Sequence, residues 1–161
     1  YTFVPGFKAF VLAQDPVTLT LLQTWRVIGF GFLTLYFYGV LPALFGWVAG
    51  VGDVLVGIAA VFVVLKLQRD RAYLTSRDFV NFNILGLLDF VGAVGTAAVT
   101  GGAIAALVGD GPTSAPMAVW PLNLFPSFGV PLFIILHLTV LFKVMHVRER
   151  KSERQPVAVA G

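Results

Sequence analysis

Arg26, Asp53, Asp89 and His137 each fall inside an apolar stretch long enough to cross a bilayer. A charge near the bilayer centre costs about 2.5–3.5 kcal/mol on insertion scales, so such groups pair with one another or mark a working site. One base, two acids and one imidazole can build either a closed ion-pair lock or a proton relay. Gln23 lies three residues before Arg26 and on the same side of a helix. Arginine stays charged and offers a planar fork suited to carboxylate, so an Arg26–Asp89 or an Arg26–Asp53 pair is expected. The competing reading makes Trp25-Arg26 an interfacial anchor, with the guanidinium snorkelling to the headgroups. Asn83 stands near the start of the segment that carries Asp89, as a helix-entry residue or as a member of the same network. His137 suits proton transfer, or else hydrogen-bonded packing.

Other chemistries lack their residues. Cysteine is absent, which removes disulfides, thiolate catalysis and cysteine metal sites. His146 follows His137 by nine residues, so the two face opposite sides of a helix and cannot share a metal or haem within one chain. There is no HExxH, no phosphate-cradling glycine loop before a lysine and no serine nucleophile elbow. No catalytic residue, metal site or cofactor is therefore assigned, and the chain is read as a non-enzyme.

The elements that must position these groups are membrane helices. Of the 161 residues, 58% are hydrophobic and 12% charged, against about 25% charged in a soluble domain. Four spans can be drawn: about Thr18–Val40, Leu44–Leu65, Phe82–Leu107 and Leu124–Met145, giving an all-α bundle of four transmembrane helices with short loops over residues 18–147. Pro42 marks a hairpin between the first two, and a Gly/Pro loop from Gly109 to Pro121 joins the last two. Arg26 aside, ten Lys/Arg remain: Lys8, four in the loop after the second span and five at the end of the chain. Four spans put all ten on one side, which the positive-inside rule makes cytoplasmic for loop 66–79 and the C-terminus. The sequence pI near 9.5 thus reflects topology rather than nucleic-acid binding. Residues 1–17 are expected to be an interfacial segment or the end of a missing upstream span, and 148–161 a mobile basic tail.

Small residues indicate which faces meet. Gly46, Gly50, Asp53 and Gly57 recur every three or four residues on the second helix, and Gly46/Gly50 form a GxxxG pair that lets another backbone approach. Gly86 and Asp89 share a face of the third helix. Pro131, inside the fourth span, frees a carbonyl and bends the helix.

The segments Arg26–Leu33, Leu41–Phe45, Ala49–Asp53, Asn83–Asp89 and Pro126–His137 together resemble small uncharacterised multi-pass membrane proteins of bacterial genomes. That resemblance implies a bacterial inner-membrane location and no particular chemistry. Two functions stay in view. One is a structural or interaction subunit of a membrane complex, held together by a buried Arg/Asp/Asp/His network, with lipid and either a second copy or other membrane subunits as partners. The alternative is a module that binds or transports a proton or small solute, acting as an oligomer. A third, weaker reading is a membrane enzyme or carrier of quinone or haem through His137.

Overall fold

A computed structural model describes residues 5–102 and 111–154, and among these the chain is all-helical. Helix α1 (Pro5–Ala13) leads to α2 (Pro16–Leu22), whose N-terminus is capped by Asp15 accepting from the Thr18 amide. A 3₁₀ stretch, Gln23–Gly29, continues without a break into α3 (Phe30–Phe37). Then come α4 (Ala43–Arg69), α5 (Arg77–Gly101) and α6 (Val130–Arg154), the last preceded by a π-helical turn at Phe125–Gly129.

Among the described residues, three helical segments are long and apolar enough to cross a membrane: Ala43–Arg69, Arg77–Gly101 and Phe125–Glu153. The first expected span, Thr18–Val40, is helical from Pro16 to Phe37 but is not one α-helix, because its middle is wound as 3₁₀. That winding has a consequence for the site. At three residues per turn, positions i, i+3 and i+6 stack in a column, and the buried residues of the stretch are Gln23, Arg26 and Gly29.

The turn after α3 owes its shape to glycine rather than to proline. Gly39 has φ +71°, in the left-handed region, while its amide donates to Tyr36 O and the Val40 amide to Leu35 O. This is a Schellman termination with glycine at the left-handed position. Pro42 follows and caps α4 from outside the helix.

Packing is antiparallel and set by small residues. A Cβ on Gly46, Gly50 or Gly57 would run into Tyr36, Leu33 or Val27 respectively, so α4 lies directly on the 23–37 segment. On the other flank of α4, Gly92 of α5 faces Val48. Helix α5 meets α6 through the stacked rings of Phe90 and Phe133. Two apolar clusters result, one containing Leu19, Ala60, Phe79 and Val140, the other Phe32, Phe45, Ala49 and Met117. Along the first segment, α4 and α5, the residues Arg26, Asp53 and Asp89 fall between the two clusters.

The expected interfacial segment contains α1, whose Val11 is buried, while residues 1–4 lie outside the described residues. The third span was expected to reach Leu107; α5 closes at Gly101, and 103–110 are outside the described residues. Helix α6 runs through the first residues of the expected tail to Arg154. Arg148 ties it to the connection between α4 and α5 by donating to Thr75 O at 2.8 Å. Residues 155–161 lie outside the described residues.

Candidate functional site: a guanidinium shared by four helical segments

Arg26 is 2% exposed and stands at the centre of the molecule. Its Nε donates to Asp53 Oδ1 at 2.7 Å, and one terminal nitrogen donates to Asp89 Oδ2. The other terminal nitrogen donates to the Gly86 carbonyl at 3.2 Å and lies 3.3 Å from His137 Nε2. The guanidinium carbon sits 3.9 Å from the centre of the Phe90 ring, in cation–π range. The two alternative pairs read from the sequence are thus formed together, one carboxylate from α4 and one from α5.

Hydrogen-bond roles around His137 follow from the ends of the chain of contacts. Asn83 Nδ2 donates to Phe79 O at 2.8 Å, which turns its Oδ1 toward His137 Nδ1, 2.9 Å away. An amide oxygen can only accept, so Nδ1 carries the proton. Nε2 is then the lone-pair nitrogen, aimed at a guanidinium that can only donate. Each role requires the next, and the imidazole is held neutral as the Nδ1–H tautomer. His137 itself is completely buried.

Three glycines make room for these groups. A Cβ on Gly86 would overlap the His137 ring, one on Gly52 the Asp89 carboxylate, and one on Gly29 the Asp53 side chain. Gly86 therefore has two parts: it supplies a carbonyl to Arg26 and the space for His137. Gln23 joins the cluster less directly. Its Nε2 donates to Phe133 O at 3.2 Å, pinning the 3₁₀ column to α6, while its buried Oε1 has no partner among the described residues.

Every residue singled out as a candidate, Gln23, Arg26, Asp53, Asn83, Asp89 and His137, lies in or against this one cluster. Sequence reasoning missed Phe90, Gly29 and Gly52. Phe90 follows Asp89 and was legible only as one more lipid-type aromatic. Gly29 is three residues after Arg26, a spacing that marks it once the segment is known to be 3₁₀. Asp53, Asp89 and His137 converge on the guanidinium, so a fixed positive charge stands where a metal ion would have to be. Among the described residues no other His/Cys/Asp/Glu group could hold one.

The family described as Domain of unknown function (DUF8737) matches residues 1–145, which include the whole cluster. The chain belongs to that family. No curated protein matches the chain, and neither does any solved structure. Arg26 takes its two carboxylates, its carbonyl and its imidazole contact from within the chain. The Asp53 and Asp89 side chains keep 16% and 11% exposure, against 0% for Arg26, so only the acids reach the margin of the cluster.

Proposed function

We propose that this protein is a four-span integral membrane protein of the bacterial inner membrane and serves as a structural or interaction subunit of a membrane complex. The observation that carries this reading is that Arg26 contacts α4, α5 and α6 at once and is itself on the first segment. A polar group that must be paired in an apolar medium fixes which faces can meet, and with four segments sharing one cation the bundle has one low-energy arrangement. The outward faces of α4 and α5 carry exposed apolar side chains such as Leu55, Phe62, Leu85 and Val91, suited to neighbours within the bilayer.

Residues 16–37 count as the fourth span because of length. With seven 3₁₀ residues in the middle, the run reaches roughly 36 Å, enough for a ~30 Å hydrocarbon core. An even number of crossings puts loop 66–79 and the C-terminus on the same side, and their basic residues favour the cytoplasm.

The test is photo-crosslinking in native membranes from the outward face of α5, at Leu85, Leu88 and Val91, all well exposed. The reading expects one adduct of constant mass, retained when the label moves one helical turn and lost in Arg26→Met. Scattered lipid adducts alone, together with solute flux by the purified protein in vesicles, would replace this reading with the transport module.

A further inference from the structure

Between the first segment and the approach to α6 runs a groove of about 560 Å³, within the range of pockets that hold a small molecule. Its walls are aromatic and aliphatic, including Trp25, Phe125, Phe128 and Leu132, and its floor is Gly29, Asp53 and part of Arg26. Trp25 and Phe128 are each 65% exposed, so the groove opens at the protein surface. Asp53 enters it with a carboxylate oxygen unmet. Oδ1 accepts from Arg26 Nε, while Oδ2 has no donor among the described residues. The missing side chain of Gly29 leaves Oδ2 uncovered, since a Cβ there would stand 2.9 Å from that oxygen.

Arg26 is one cation shared by two acids, Asp53 and Asp89. Of the two, the acid that lines the groove is Asp53.

We propose that this groove is a binding site for a lipophilic organic cation, an apolar or aromatic body with one delocalised or ammonium charge, which enters from the bilayer and sets its charge over Asp53 Oδ2. Aromatic walls suit such a body twice, by burying apolar area and by offering ring faces to the cation. Anionic and neutral amphiphiles of the same shape gain the area and not the charge. The site asks for binding and not for transport, so it stands or falls independently of the subunit reading.

The probes are tetraphenylphosphonium and tetraphenylborate, which share shape and differ in sign, measured by equilibrium binding to the full chain in lipid nanodiscs with protein-free discs subtracted. The phosphonium should bind saturably, and the borate at least about tenfold more weakly, the factor that ~1.4 kcal/mol of charge preference produces. Leu132→Trp, which fills the groove without touching the cluster, should abolish phosphonium binding, and Asp53→Asn should weaken it by a similar factor. Should Asp53→Asn not fold, the ion pair and Leu132→Trp still decide. Equal binding of the two ions, or phosphonium binding unchanged by Leu132→Trp, would overturn the proposal. So would a co-purified phospholipid seated in the groove that neither ion displaces.

Discussion

Replacing Arg26 by methionine removes the one cation that two carboxylates share while roughly keeping the volume of the side chain. Asp53 and Asp89 would then face each other's surroundings with 16% and 11% of their side chains exposed, too little for water to replace the guanidinium. The Gly86 carbonyl and His137 Nε2 lose their donor as well. Breaking a buried pair by taking one partner costs about 3–5 kcal/mol, because a charge is left uncompensated. Here two acids depend on the same partner, so the upper half of that range is expected. Reversible unfolding by SDS titration in mixed micelles, followed by tryptophan fluorescence, gives the free energy directly. The triple variant Arg26→Met/Asp53→Leu/Asp89→Leu should recover most of the loss, since removing all charged partners of a buried network is often near neutral. If Arg26→Met unfolds within about 0.5 kcal/mol of the parent, as an ordinary surface substitution would, Arg26 is snorkelling and the reasoning fails. If the single variant is unstable and the triple is no better, the loss is steric and the ion-pair account fails.

Gly86→Ala places a methyl in the His137 ring and should cost about 1–3 kcal/mol by overpacking, read in the same titration; no effect would mean that α5 and α6 are further apart than described. Asn83→Leu leaves the His137 Nδ1–H unpaired in a buried site, for about 1–3 kcal/mol. The ring cannot recover by moving its proton, because Nε2 would then present a donor to a donor. Asp15→Ala should cost about 1 kcal/mol through loss of the α2 cap. Burial raises the pKa of Asp15, but the bonds from Thr18 and the Val17 amide, with Lys143 nearby, outweigh it and hold the carboxyl below its usual range. A depressed folded-state pKa means the contribution is present above the unfolded value and is lost as pH falls through the folded one. The gap between parent and Asp15→Ala should therefore be full at neutral pH and close below about pH 4. A gap that widens on acidification would contradict the cap.

An arginine and two aspartates in apolar sequence call for partners, so the sequence pointed to an Arg26–Asp89 or an Arg26–Asp53 pair, with a snorkelling Arg26 as the competing reading. That both acids share one guanidinium was not legible, because it depends on the rotation of α4 and α5 about their axes. The glycine stripe on α4 lies where Tyr36, Leu33 and Val27 come close, since only a missing side chain admits them. Hydropathy could not show the 3₁₀ winding of Gln23–Gly29, because both helix types are equally apolar and differ only in which carbonyl each amide reaches. That winding is what aligns Gly29 with Arg26 and uncovers Asp53 to the groove. Pro42 drew attention to the first hairpin, while the residue that turns the chain is Gly39, whose need for positive φ has no counterpart in hydropathy.

Whether Arg26 is a dry, shared partner at the heart of the bundle can be read by hydrogen exchange of ¹⁵N-labelled arginine side chains in lipid bilayers, with Arg26→Lys assigning the signal. The Arg26 Nε–H should exchange far more slowly than those of Arg69, Arg71 and Arg148, and should lose its protection in Asp53→Asn. An Arg26 signal exchanging as fast as the loop arginines would place the guanidinium in water at the headgroups and dissolve the network on which the account rests.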